Sequence, residues 1–393
     1  MQGHLRRRGK RSWAIVLNLG RDLNGQRRQK WHAVQGTKRD AQRELTRLLD
    51  SIHSGGYVEP TKLTVTQYLN RWLDSIQRKV APKTWERYSG LVRLTLAPAI
   101  GSYPLGKLQP LHIQDCYAAA LASGRIDGKG GLSPQTVLHA HRVLHEALRQ
   151  AVRWRLISRN PVEAVEPPKP TRREMCALGD AEIAQLLERT SDTRLGLITL
   201  LAVTTGMRRG EVLALRWSEV DFERGTLSVC QTLEKTKAGL SFKPPKTSKS
   251  RRTIALPAIT VDALKHHRAE QGKERLRLGA AYEDSGLVCA RQDGKPWDPD
   301  SLSGDFRDLV RRSPLKVRFH DLRHTHATQL LREGVHPKIV SERLGHSTVS
   351  LTLDTYSHVL PGMQDAAAQG VDAALRVALS VSGGLQKVCK QPA

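Results

Sequence analysis

The segment Glu166-Pro-Pro-Lys-Pro-Thr-Arg-Arg173 constrains this chain most. Its three prolines remove backbone donors and fix φ, so neither a helix nor a central strand can run through it. The charged flanks favour water over a core. The chain must therefore fold as separate bodies joined by an exposed linker at 163–174. At roughly 100–200 residues per domain, 393 residues leave room for two to four such bodies.

Upstream, residues 63–162 read as all-helical. Val65, Tyr68, Leu69, Trp72, Leu73 and Ile76 recur at helical spacing and mark one amphipathic helix. Thr84–Leu94 and His112–Leu121 give two more. Ser133-Pro134 is an N-cap followed by proline at the first helical position. It opens a fourth helix marked by Val137, His141, Leu144, Leu148 and Val152, which is expected to end near Ile157–Pro161. Residues 1–60 are a basic unit with 13 Lys+Arg against 5 Asp+Glu. Trp13–Leu19 is strand-like, Asn24-Gly25 is a hairpin signal, and Gln26–Val34 reads as the return strand. Thr37-Lys-Arg-Asp40 then forms a capping box with Asp in the Glu position. Ala41, Leu45, Leu48 and Ile52 continue a helix that Gly55-Gly56 stops.

Downstream, residues 175–365 read as mostly helical with a strand-rich insert. Leu195–Thr205 is an apolar helix broken at Gly206. Gly225–Leu233 and Arg252–Leu256 alternate like strands around a polar, basic stretch, Lys235–Arg251. His320–Glu333, Pro337–Leu344 and Thr348–Asp354 read as three short helices. A tail at 366–393 carries helical spacing at Val371, Leu375 and Leu379. The expected class is mainly α with small β-sheets (α+β).

Charge narrows the partner. A formal charge of +25 points to a polyanion. Nucleic acid is the best fit, because neutralising phosphates releases counterions and supplies sequence-independent affinity. The basic N-terminal sheet, with Arg21, Arg27, Arg28, Lys30, Lys38 and Arg39, is of a size to enter a DNA groove. No stretch approaches the roughly 18 apolar residues that span a bilayer, so no membrane association and a cytoplasmic protein are expected. The five cysteines, 116, 176, 230, 289 and 389, contain no C-x-x-C pair, so neither a disulfide framework nor a cysteine metal site is indicated.

Four motifs carry chemistry. In Thr205-Gly-Met-Arg208-Arg-Gly-Glu211, Arg208 and Glu211 share a helix face three residues apart. A guanidinium at a helix N-terminus is suited to meet a phosphate bidentately. In His320-Asp-Leu-Arg323-His324-Thr-His326, His320 and Arg323 repeat that spacing. Its three histidines invite a metal reading, but H-E-x-x-H is absent and no carboxylate or Cys pattern completes a site. Leu344-Gly-His346 follows a helix that Gly345 terminates. Tyr356 lies ten residues after His346, in Leu353-Asp-Thr-Tyr-Ser-His358. Each motif alone has an ordinary structural explanation: a surface salt bridge, satisfied histidines, a core tyrosine.

Together and in order, these motifs resemble the tyrosine recombinase (phage-type integrase) family. The resemblance is strongest over the last 190 residues, looser over the helical segment, and by pattern alone over the N-terminal sheet. It implies a three-domain DNA-clamp architecture. Residues 1–60 would be an arm-type DNA-binding domain and 63–162 a helical core-binding domain. Residues 175–365 would be a catalytic domain carrying a β-hairpin, followed by the tail. By position, Arg208 and Arg323 match the arginines that clamp the scissile phosphate. His320 and His346 match two further active-site positions, Glu211 a supporting acidic position, and Tyr356 the nucleophile. The family's hairpin lysine fits Lys246 best, with Lys249 as runner-up.

The implied chemistry is cleavage and rejoining of DNA through a covalent 3′-phosphotyrosine, with no cofactor and no metal. Two guanidiniums would stabilise the charge that other phosphoryl-transfer enzymes give to metal ions. A phenol of pKa about 10 must lose its proton while attacking, and His320 is the expected acceptor. Lys246 would protonate the leaving 5′ oxygen. The implied partners are double-stranded DNA at core and arm sites and three further copies of the chain in a synaptic tetramer. An accessory directionality factor is a partner that the resemblance allows. The alternatives are a chromosome-dimer-resolving recombinase, a type IB topoisomerase, a non-catalytic DNA-binding protein on the same fold, and a zinc-dependent nuclease.

Overall fold

The computed structural model describes residues 3–21, 25–53, 61–171, 176–245, 250–356 and 363–381. The chain forms two compact units, 1–172 and 173–393.

The first unit opens with an antiparallel sheet of three strands: β1 (Gly3–Gly9), β2 (Ser12–Arg21) and β3 (Arg27–Gln35). β1 was not expected, because its Leu5 stands alone among basic residues and gives no apolar alternation. Its register with β2 supplies the missing signal, since Leu5 pairs with Ile15 on the buried face. Helix α1 (Lys38–His53) covers that face. Ile15 and Leu17 pack there on Leu45 and Leu48. The predicted cap is present: Asp40 accepts from the Thr37 backbone at 2.9 Å and from its hydroxyl at 2.7 Å. Gly25 takes the left-handed φ of 78° that the turn requires, while Asn24 and Gly55-Gly56 lie outside the described residues.

A second core in this unit belongs to helices α2 (Val65–Ile76), α3 (Pro82–Leu91), α4 (Ala97–Ile100), α5 (Pro110–Ser123) and α6 (Pro134–Arg153). A wide π-turn at Val92–Leu96 joins α3 to α4. Thr64 and Gln67 cap α2 reciprocally, worth about 1 kcal/mol. The Tyr68 hydroxyl donates to the Ala147 carbonyl. Helix α6 ends at Arg153, earlier than expected. Arg155 adopts φ 56° and the Leu156 amide reaches back to the Ala151 carbonyl at 2.9 Å, a Schellman-type stop built without glycine.

The second unit begins with α7 (Asp180–Ser191), α8 (Leu195–Thr205) and the single turn α9 (Arg209–Val212). Helix α8 carries apolar residues on every face because most of it is buried and the rest is half-buried. Strands β4 (Val220–Asp221), β5 (Thr226–Val229), β6 (Thr232–Thr236), β7 (Gly239–Lys243) and β8 (Arg252–Ala255) follow. They form two sheets, β4-β5-β8 and the hairpin β6-β7. The single strand expected at Gly225–Leu233 is thus two, broken at Cys230-Gln231, where the chain passes from one sheet to the other. The stretch expected to be merely polar, Lys235–Arg251, contains β7. Helices α10 (Ala258–Leu278), α11 (Pro299–Arg311), α12 (Asp321–Arg332), α13 (Pro337–Leu344), α14 (Val349–Tyr356) and α15 (Met363–Val381) complete the unit. Its main core gathers α8, β5, β8 and α11, and a smaller one joins Ala327, Leu331, Val340, Leu344 and Tyr356. No helix among the described residues is long and apolar enough to cross a membrane.

Candidate active site

Two helix ends build the floor of the site. Helix α8 stops at Gly206 with φ 64°, and a Cβ there would stand 2.6 Å from the His326 ring. Glycine is therefore required for both conformation and space. Helix α13 stops in the same way at Gly345, φ 68°. The freed carbonyls point at guanidiniums. Arg323 donates to the Gly206 carbonyl and to the Leu344 carbonyl, each at 2.7 Å. Arg208 donates to the Gly345 carbonyl at 3.2 Å. The negative ends of two helices thus offset the repulsion between two neighbouring cations. Arg323 is 4% exposed. Burial, and then the charge of Arg208, press against its charged form, yet a guanidinium keeps its proton across the biological range.

Glu211 holds Arg208 from the other side. Its carboxylate, 3% exposed, accepts from the Arg208 amide at 2.9 Å and from Arg208 Nη1 at 2.7 Å. It also accepts from Arg252 Nη2 at 2.9 Å. Burial alone would raise this carboxyl, but the charge and hydrogen bond of Arg252, with Arg208 behind them, hold it below the ordinary range. Arg252 in turn donates to the Arg343 carbonyl at 2.6 Å, tying β8 to α13. Arg343 closes the frame. Its guanidinium donates to His326 Nε2 at 3.0 Å, to the Thr204 carbonyl at 3.1 Å and to the Ala255 carbonyl at 3.0 Å.

Helix α14 presents Thr352 and Tyr356 on one face, four residues apart. The Thr352 hydroxyl lies 2.8 Å from His346 Nδ1. Burial, then the Arg323 charge, lowers His346 to about 4, so it is neutral near pH 7. Tyr356 is 2% exposed and its hydroxyl lies 2.7 Å from His324 Nδ1. Burial pushes the phenol up to about 12, partly opposed by Arg323. His324 is lowered to about 4, first by burial and then by its histidine neighbour. That neighbour is His320, whose ring meets the His324 ring edge to face at 5.2 Å. His320 itself is exposed, and partial desolvation followed by the Arg323 charge lowers it.

The structure therefore brings Arg208, Glu211, His320, Arg323, His346 and Tyr356 into one constellation from α9, α12, α13 and α14. Lys246 and Lys249 lie outside the described residues. They fall in the connection from β7 to β8, which belong to different sheets. The phenol's partner is His324, not the expected His320. The three histidines of the α12 motif diverge: His320 to the surface, His324 to Tyr356, His326 to Arg343. Among the described residues no group of three or more His, Cys, Asp or Glu is placed to hold a metal ion.

Four participants escaped the sequence reading: Arg252, His324, Arg343 and Thr352. Two left a signal. Arg252 sits two residues before the buried Ile254, an inward position of a strand where an arginine needs a partner. His324 is one helical turn from His320 and so shares its face.

In the first unit, Arg21 ends β2, Arg27, Arg28 and Lys30 lie on β3, and Lys38 and Arg39 open α1. Lys30 pairs with Leu17, on the sheet face that α1 covers. The opposite face carries cations not singled out before. Arg6 and Arg8 place their guanidiniums 5.8 and 5.4 Å from the Trp31 ring centre, and Trp31 is 43% exposed.

Comparison with known proteins agrees with this geometry. The phage integrase family matches residues 177–362, and the N-terminal SAM-like domain of phage integrases matches residues 64–121. A tyrosine recombinase XerC-like protein of Caldanaerobacter subterraneus subsp. tengcongensis is 29% identical over 374 residues, covering 90% of this chain and 94% of its own. The Tn1549 transposon integrase in complex with transposon right end DNA has a TM-score of 0.65 and 22% identity, covering 79% of this chain and 99% of its own. A lambda integrase tetramer bound to a Holliday junction has a TM-score of 0.54 and 20% identity, covering 88% and 95%. Both solved structures share the mainly helical fold with small antiparallel sheets. With both family matches in chain order and a relative aligned over nine tenths of its length, this chain belongs to the phage integrase family of tyrosine recombinases.

Proposed function

We infer that this protein is a site-specific DNA recombinase that integrates a phage or another mobile element. The observation that carries this reading is the buried Tyr356 hydroxyl, fixed by hydrogen bond beside two helix-anchored arginines. Carbonyls engage Arg323, a carbonyl and Glu211 engage Arg208, and among the described residues no other partner takes the remaining guanidinium N–H groups, which would bind an anion. A scissile phosphate held by Arg208 and Arg323 would gain stabilisation as charge builds on its oxygens in the pentacoordinate transition state. His320, at the surface, and His346, oriented by Thr352, would hydrogen-bond the same phosphate. Glu211 would keep Arg208 in place. The bond from phosphorus to the Tyr356 oxygen forms as the bond to the 5′ oxygen breaks. The phenolic proton passes to a neighbouring imidazole, and Lys246 returns one to the 5′ oxygen. The 3′-phosphotyrosine keeps the bond energy, so a second 5′ hydroxyl can reverse the step.

The same reading assigns three modules. Residues 1–60 would hold arm-type DNA, with Arg6, Arg8 and Trp31 joining the basic residues already named. Residues 63–162 and 175–365, joined by the 163–174 linker, would clamp the core site, and the 366–393 tail would dock on a neighbouring copy. A tetramer would act on two duplexes, as four strand cleavages require. Its place would be the prokaryotic cytoplasm, on DNA. The test is incubation with a nicked suicide duplex in excess EDTA, followed by a denaturing gel. A covalent protein–DNA band is expected, and it should vanish in Tyr356→Phe. A persistent band in that variant, or none in the unaltered protein, would end the reading.

A further inference from the structure

We propose that His324, not His320, takes the proton from Tyr356 during strand cleavage. The proposal rests on the recombinase reading and assigns one role within it. Geometry separates the two histidines. His324 Nδ1 lies 2.7 Å from the phenolic oxygen, within reach of direct transfer, with the two rings 5.7 Å apart and tilted by 54°. His320 stands one turn earlier, exposed, with its ring against His324 rather than against the phenol. An exposed imidazole is placed to meet incoming DNA; the inner one is placed to serve the nucleophile.

Protonation in the free protein follows from the surroundings. The buried phenol keeps its proton and the half-buried imidazole is neutral. The Tyr356 hydroxyl therefore donates to Nδ1, and Nε2 carries the ring hydrogen. Tyr356 is thus held in one place and held unreactive. A phosphate between Arg208 and Arg323 changes that balance. Its negative charge cancels the guanidinium charge that disfavours an imidazolium, so His324 becomes a better acceptor when substrate is bound. During attack the phenolic O–H bond breaks and its proton moves to Nδ1, the bond from the phenolic oxygen to phosphorus forms, and the bond from phosphorus to the 5′ oxygen breaks, that oxygen leaving as the 5′ hydroxyl with a proton from the general acid. When a 5′ hydroxyl later attacks the phosphotyrosine, the departing phenolate recovers that proton. No further reactant is needed.

The test is single-turnover cleavage on two nicked duplexes, one natural and one with a 5′-bridging sulfur at the scissile position. Sulfur leaves without protonation, so it rescues loss of a general acid but not loss of the base. His324→Ala, His324→Gln and His320→Ala are compared at saturating protein, with duplex binding checked by gel shift. Glutamine can accept the phenol's hydrogen bond but cannot take its proton. The expected result is a loss of about 10²–10³-fold for both His324 variants on both duplexes. Three results would overturn the proposal: His324→Ala within threefold of the unaltered protein, recovery of the rate in His324→Gln, or a base-type loss confined to His320→Ala. Absence of a covalent product from the unaltered protein would instead sink the recombinase reading.

Discussion

The helical body of residues 65–165 and the catalytic unit are stabilised by different physics. Among the described residues the first buries one polar side chain, Asn160, beneath a core led by Trp72, Tyr68 and Tyr117. The second buries Glu211, Asp321, Arg323 and His326 together with a series of threonines and serines. Apolar burial is additive and forgiving, at roughly 25 cal/mol per Å². Buried charges are different: each needs a partner, and losing the partner costs more than the pair gained. The helical body is thus a scaffold, and the catalytic unit carries the cost of holding two phosphate-binding cations ready.

Three measurements can break or sharpen this contrast. Trp72→Ala should cost about 3–5 kcal/mol, by lost transfer energy and a cavity. Urea unfolding of the full chain reads it, and a loss under 1 kcal/mol would show that the helical body is not held by its core. Glu211→Gln should cost about 3 kcal/mol, because Arg252, 6% exposed, keeps its charge without an opposite one. Replacing the pair as Glu211→Leu with Arg252→Met should recover part of that stability while cleavage stays low. Equal stability for single and double variants would refute the buried-charge account.

The third effect is on pH. His324, His326 and His346 are held low in the folded chain, at about 4, 3 and 4, chiefly by burial. Unfolded histidines titrate near 6.5, so from there downward the unfolded chain binds more protons than the folded one. The stability these three supply is complete above pH 6.5 and is lost as the pH falls toward 4. The slope approaches about 1.4 kcal/mol per pH unit for each. Urea midpoints of residues 173–393 within the full chain at pH 7.5 and 5 read the change; coincident midpoints would contradict it.

Local signals made much of this legible. The Thr37–Asp40 and Ser133 caps, the helix break at Gly206 and the α13 boundaries depend on chemistry a few residues long. Where neighbours were distant, the reading faltered. β1 is basic and becomes a strand because β2 offers it an edge. The chain at Cys230 changes sheet because β5 pairs with β8 while β6 pairs with β7. In the site, the motifs named the residues but not their bonds. Nothing in the spacing of His320, His324 and Tyr356 says which ring meets the phenol, since 32 residues separate His324 from Tyr356.

The amino-acid order alone determined that this chain is helical, divided at a proline-rich joint, strongly cationic, and equipped with two arginines, histidines and a late tyrosine. Helical periodicity, caps and charge are properties of neighbours along the chain. Tertiary structure alone decided that two glycine-capped helix ends anchor the arginines, that Arg252 and Arg343 frame them, and that His324 holds the phenol. Those are meetings between segments far apart in sequence, fixed by which buried polar group finds which partner.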